Sequence, residues 1–180
     1  MTTIVLTLPH FFDGEAELIA RFLRRGDVDL IHLRKPNCSA NQLEQLILRI
    51  PNDLRNRLVV HDHFQLAVSH HLHGIHLNSR CNEAPCRWEG SVSRSCHSLD
   101  EVLQWKERCT YVSLSPIFDS VSKQGYCSAF TPQQIYEAHR QGIIDHRVYA
   151  LGGVTFGRLA EVRDLGFGGA MILGDAWKNL

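Results

Sequence analysis

The sequence predicts an α/β chain folded as a minimal (β/α)8 TIM barrel, with residues 1–180 as a single domain. Three observations predict it. Eight short apolar runs rich in β-branched residues recur at 3–8, 30–34, 58–62, 74–77, 92–96, 111–115, 147–151 and 169–173. Most are separated by segments with helical, 3.6-residue periodicity. Several runs are apolar on both faces, as strands of a parallel sheet covered by helices must be. An open, doubly wound sheet is the alternative that uses the same alternation.

The first run, 3–8, has no basic segment before it and no small-residue cleavage site after it, so it reads as a strand rather than a signal peptide. The segment 15–23 places Leu18, Ile19, Phe22 and Leu23 on one helical face, and 41–50 does the same with Leu43, Leu46, Ile47 and Ile50. A further helix at 64–70 lies between the third and fourth strands. The link 78–90 has room for one or two helical turns, a short fourth helix. After the fifth strand, Ser98-Leu99-Asp100-Glu101 fits the S-x-x-E capping box and opens a helix over 99–107. Helices at 132–140 and 156–165 follow, the latter with Thr155 as N-cap. Only 174–180 remain beyond the eighth strand, so the last helix is truncated. Its absence predicts apolar surface, including Trp177, for a partner subunit to cover. At 180 residues the chain is shorter than a typical barrel of roughly 250.

Composition narrows the function. Nineteen Lys and Arg balance nineteen Asp and Glu, leaving no basic stripe for nucleic acid or an anionic membrane. The longest apolar runs are four to six residues, against the ~20 that a membrane span needs. The six cysteines, at 38, 81, 86, 96, 109 and 127, form no C-x-x-C pair, and a cytoplasmic protein with reduced thiols is the simplest expectation. His70, His71, His73 and His76, with His61 and His63 nearby, raise a metal reading. Their spacing fits no H-E-x-x-H motif and no adjacent Cys or carboxylate completes a set, so a polar helix end followed by a strand is the plainer reading.

A barrel presents its chemistry at the C-terminal ends of its strands. Those ends carry His32, Arg34 and Lys35; His61 and Asp62; His76 and Asn78; Ser95 and His97; Ser115 leading into Ser120, Ser122 and Lys123; Gly152 and Gly153; and Gly174 with Asp175. They are expected to converge on one mouth. Glycines after strands seven and eight, with hydroxyls and a lysine in the loop after strand six, predict phosphate held by backbone N–H groups. An imidazole's ordinary pKa, about 6.5, suits the His97 position to proton transfer. The same residues also have structural readings: Arg34 paired with Asp62, His32 and His61 as core histidines, the serines as ordinary loop residues, and His97 as a helix-entry residue.

The stretches IHLRK (31–35), VVHDHFQLA (59–67), HGIHLN (73–78), SRSCHSLDE (93–101), YVSLSPIFDSVSKQG (111–125), YALGGVT (149–155) and GFGGAMILGDAW (166–177) resemble, in order and spacing, the thiamine phosphate synthase and thiazole tautomerase family. The resemblance implies a dimeric (β/α)8 barrel, here a homodimer, that binds a small phosphorylated thiazole. It gives thiazole-phosphate binding to Ser120, Ser122, Gly152, Gly153 and Gly174. It gives the pyrophosphate and pyrimidine side to His32, Arg34, His61, Ser95 and Lys123. A synthase of this family joins a pyrimidine pyrophosphate to a thiazole phosphate with Mg2+, for which Asp62 is the matching ligand. The family pattern Gln-x-Arg-x-Lys reads here His32-Leu33-Arg34-Lys35-Pro36, Asn-Asp reads His61-Asp62, and the second magnesium Asp falls at about Cys81. Loss on the metal side with retention on the thiazole side leans toward a tautomerase, which needs no cofactor and uses His97 as acid and base. A magnesium-dependent synthase and a non-catalytic thiazole-phosphate binder are the alternatives.

Overall fold

The computed structural model describes residues 1–119 and 128–178. Eight parallel strands pair in sequence order as a closed barrel: β1 (Thr2–Leu6), β2 (Leu30–Leu33), β3 (Leu58–Val60), β4 (Gly74–Leu77), β5 (Ser91–Cys96), β6 (Tyr111–Leu114), β7 (Val148–Leu151) and β8 (Gly169–Ile172). The helices are α1 (Glu15–Arg25), α2 (Ala40–Arg49), α3 (Gln65–Ser69), α4 (Leu99–Trp105), α5 (Pro132–Arg140) and α6 (Leu159–Asp164). The barrel expectation holds. Its short helix after the fourth strand does not: residues 78–90 run from β4 to β5 without one. The chain after β8 closes with one 3-10 turn, Gly174–Trp177. Trp177, expected to be exposed, is buried within the chain.

The chain divides into two compact units, Val5–Val92 and Met1–Ile4 with Ser93–Leu180. In the first, β2 pairs with β3 through Ile31↔Leu58 and Leu33↔Val60, and β3 with β4 through Val59↔Gly74. Gly74 is required by the close approach of Ser91 at the start of β5, because a Cβ there would stand 2.6 Å from the Ser91 carbonyl oxygen. Its core includes Ile19, Leu23, Ile31, Leu33, Leu43, Ile47, Leu58 and Ile75, each worth about 1.5–3 kcal/mol of transfer free energy. The buried face of α1 is Ala16, Ile19, Ala20 and Leu23; Leu18 and Phe22, expected on that face, are half-buried at its border. Arg57 fastens the end of α1, donating to the carbonyls of Leu23, Val28 and Asp29.

In the second unit, β5 pairs with β6 through Ser95↔Ser113 and Cys96↔Leu114, β6 with β7, and β7 with β8 through Tyr149↔Gly169. Gly169 makes room for the Tyr149 ring, which stacks on Tyr111 with centroids 4.5 Å apart. Thr131 and Gln134 form a complete capping box at α5, with Pro132 in its first turn. The five described cysteines, Cys38, Cys81, Cys86, Cys96 and Cys109, are free thiols, as the spacing predicted. Among the described residues no helix is long and apolar enough to cross a membrane.

Candidate active site

His97 is placed by register. Cys96 and Leu114 are partners across β5 and β6, so the next residues, His97 and Ser115, leave adjacent strand ends side by side. The Ser115 hydroxyl lies 3.2 Å from His97 Nδ1, and the Ser115 carbonyl oxygen 3.4 Å from the same nitrogen. The expected capping box is only half formed. Ser98 Oγ accepts from the Glu101 N–H at 3.2 Å, but the Glu101 carboxylate accepts from the His97 N–H at 2.7 Å, not from Ser98. Glu101 thus holds the His97 backbone, Ser115 orients the ring, and the residue is exposed. Ser95, one pleat earlier, is half-buried.

Gly152 and Gly153 both have positive φ, +90° and +64°. A Cβ on Gly152 would stand 2.7 Å from Pro116 Cα, and one on Gly153 2.4 Å from the Asp119 carbonyl oxygen. The pair therefore lets the segment after β6 pass close by, with Phe118 N–H donating to Gly152 O at 3.0 Å. Gly174 is exposed, but its neighbour Asp175 accepts from the Phe156 N–H at 2.9 Å and pairs with Lys178 at 2.8 Å. The Phe156 amide, an expected anion donor, is thus already engaged by a carboxylate, and Thr155 makes no side-chain cap there. Ser120, Ser122 and Lys123 lie outside the described residues.

In the Val5–Val92 unit the strand ends carry different chemistry. Arg34 is half-buried, its N–H bonded to Thr7 Oγ1 at 2.9 Å. Lys35 lies beyond the end of β2 and is engaged elsewhere. Its ammonium is buried against Glu15 Oε1 at 2.5 Å and His10 O at 2.6 Å, 4.8 Å above the Phe11 ring. Asp62 does not pair with Arg34 in the manner weighed from the sequence. Arg80 holds it by a bidentate fork, Nη2 reaching both carboxylate oxygens at 3.1 Å and Nε one of them at 3.2 Å. Asn78 fixes the turn that delivers Arg80: its Nδ2 donates to His61 O at 2.6 Å, and its Oδ1 accepts from the Arg80 and Cys81 N–H groups.

His32 and His61 are buried and share a short contact, Nδ1 to Nε2, at 2.9 Å. His76 completes a cluster, its ring stacked on His61 with centroids 4.2 Å apart. Burial first, then the neighbouring imidazoles, push the His32 and His61 pKa values well below the ordinary histidine value, so both rings are neutral near pH 7. Of the other sequence histidines, His70 pairs with Glu44 and His63 bonds the Cys38 carbonyl, so they serve local structure. Sequence reasoning gave Glu101 a capping role toward Ser98 and placed Ser115 and His76 at strand ends without their contacts, and it gave no role to Arg80. Strand register carried the signal for Ser115; the Arg80 and Glu101 contacts are side-chain choices that spacing does not encode.

The closed parallel barrel thus sets His97, its backbone N–H held by Glu101 and its ring beside Ser115, at a strand end, the place where (β/α)8 barrels carry their chemistry. The family model described as thiamine monophosphate synthase matches residues 5–174, and the chain belongs to that family, an enzyme family of thiamine biosynthesis. It is 30% identical over 166 residues to the thiamine-phosphate synthase of Yersinia pestis (strain Pestoides F), covering 86% of this chain and 75% of that one. It is 28% identical over 168 residues to the Serratia proteamaculans thiamine-phosphate synthase, covering 87% and 77%. Its fold matches a crystal structure of thiamine phosphate pyrophosphorylase from Bacteroides thetaiotaomicron at TM-score 0.90 and 41% identity, covering 100% of this chain and 86% of that one. The residues present do not fit the magnesium ion such a synthase implies. Both Asp62 oxygens face a guanidinium, and Cys81 offers a thiol where Mg2+ demands oxygen.

Proposed function

We propose that this chain is a thiazole tautomerase of the thiamine pathway, binding a phosphorylated thiazole and moving one proton with His97. The observation that carries this reading is the Asp62–Arg80 pair. It neutralises the carboxylate that a magnesium-dependent condensation would use, while Lys35 is committed to Glu15. What remains reactive is His97, which needs neither metal nor pyrophosphate. Nε2, the ring nitrogen away from Ser115, takes a proton from the ring carbon that blocks aromaticity. It then returns a proton at the far end of the conjugated system, so composition is unchanged and the gain of aromaticity drives the step. The Ser115 carbonyl oxygen, which can only accept, favours a proton on Nδ1 and so leaves Nε2 able to accept. Gly152, Gly153 and Gly174, with Ser120 and Ser122, are assigned to the phosphate, and Ser95 to the ring's surroundings.

The names of the similar proteins favour a second reading, a synthase joining pyrimidine pyrophosphate to thiazole phosphate with Mg2+ on Asp62, and with His32, Arg34, His61 and Lys123 on the pyrophosphate side. One pair of assays separates them. The purified chain is mixed with both synthase substrates and Mg2+, and thiamine phosphate is followed; separately, the non-aromatic thiazole phosphate is added alone and the aromatic product followed. Thiamine phosphate formation abolished by Asp62→Ala overturns the tautomerase reading. Aromatic product formed without metal and lost in His97→Ala supports it. Thiazole binding with no turnover in either assay overturns both in favour of a binder.

A further inference from the structure

Among the described residues, the three His, Cys, Asp or Glu side chains whose ligand atoms come close enough to share a metal ion are His32, His61 and His76. Each comes from a different, adjacent strand: His32 from β2, His76 from β4, and His61 from the residue that follows β3. Their candidate ligand nitrogens all lie within 4.8 Å of one another. Three points so spaced have a common centre about 2.8 Å or less from each, and shifts of under an ångström bring them to the about 2.0–2.1 Å of a zinc–imidazole bond. The His32 ring is inclined 74° to His61 and 64° to His76, while His61 and His76 stack at 25°, so His32 approaches from a different direction than the stacked pair.

We propose that His32, His61 and His76 form a three-imidazole site for a borderline divalent transition cation, with Zn2+ the best match. The donor set is all nitrogen, which favours Zn2+, Cu2+, Ni2+ or Co2+ and disfavours Mg2+ and Ca2+. All three rings are buried, which limits competition from bulk water, and the neutral imidazole is the state that binds metal. A tetrahedral ion bound by three protein ligands keeps one further position, the arrangement of exchangeable rather than closed sites. The site belongs wholly to the Val5–Val92 unit and is independent of the His97 reading. It stands where the family pattern carries Gln and Asn at the His32 and His61 positions, so the donor set comes from this chain's own residues.

The test uses the full chain, stripped with chelator and dialysed. Zn2+ is counted by equilibrium dialysis with elemental analysis, and Co2+ serves as an optical probe. The expected result is one Zn2+ per chain and the intense visible absorption of tetrahedral Co2+ without a thiolate charge-transfer band. Zn2+ at 100 times its Kd raises the melting temperature by roughly 5–10 °C for a chain of this size. A double variant, His32→Gln with His61→Asn, loses all three signals. Absence of stoichiometric metal in the parent chain overturns the proposal, and so does undiminished binding in the variant. If the variant does not fold, the parent's Co2+ spectrum decides: a thiolate band assigns the metal to cysteine and overturns the three-imidazole site.

Discussion

Individual residues carry the sharpest predictions. His97→Ala is expected to lower tautomer turnover by about 10²–10⁴-fold with KM little changed, the loss typical of a general acid–base. Ser115→Ala should cost less, about tenfold in kcat, because the ring loses the hydroxyl beside Nδ1 but keeps the backbone carbonyl at that position. Lys35 is the residue-scale counterexample, a strand-end cation that does structural work. The side chains of Lys35 and Glu15 are 0% and 2% exposed, and burial pushes the Lys35 pKa down and the Glu15 pKa up. Glu15 Oε2 has no hydrogen-bond partner among the described residues, so the carboxylate depends on Lys35. Lys35→Ala is expected to cost about 3–5 kcal/mol in urea unfolding, whereas Lys35→Met with Glu15→Gln should cost much less.

Elements decide which chemistry is available. The turn after β4, held by Asn78 N–H to Cys81 O at 2.9 Å, delivers Arg80 to Asp62 and leaves Cys81 beside it. Arg80→Ala with Cys81→Asp is expected to release Asp62 and create a second carboxylate, giving Mg2+ affinity that the parent lacks. Isothermal titration with Mg2+ checks this, and no heat in the variant would refute the account of the lost metal side. In the other unit, Lys106 binds the Gly142 and Ile143 carbonyls and Asp145, tying the segment after α4 to the segment after α5. Burial pushes the Asp145 pKa up, but the Arg147 N–H and the Lys106 ammonium outweigh it and hold the group below the ordinary carboxylate value. A depressed folded pKa means the unfolded chain binds more protons below about pH 3.9, so this contribution is complete above that value and is lost as pH falls through the folded pKa. Asp145→Asn should cost about 1–3 kcal/mol at pH 7, and the gap to the parent should narrow at pH 3. Unfolding by urea at both pH values measures it.

At the scale of the whole molecule, repetition made the fold legible. Eight β-branched runs with helical spacers permit few topologies, and the parallel barrel follows because several of the runs are buried on both faces. The boundaries differed where local chemistry intervened: Thr155 and Phe156 open a 3-10 turn, Phe156–Arg158, before α6 begins. The link 78–90 forms no helix, its start taken up by the Asn78 turn. The strand-end positions were legible too, because the ends of the apolar runs say which residues leave each strand. The sequence by itself determined the fold class, the family and the position of His97, since periodicity, spacing and capping are local properties of the chain. Only the tertiary structure decided that Asp62 belongs to Arg80, that Glu101 holds His97, that Trp177 is covered by its own chain, and that His32, His61 and His76 share one buried cluster. Those outcomes join residues from different elements, and their geometry exists only once strand register and side-chain packing have brought the elements together.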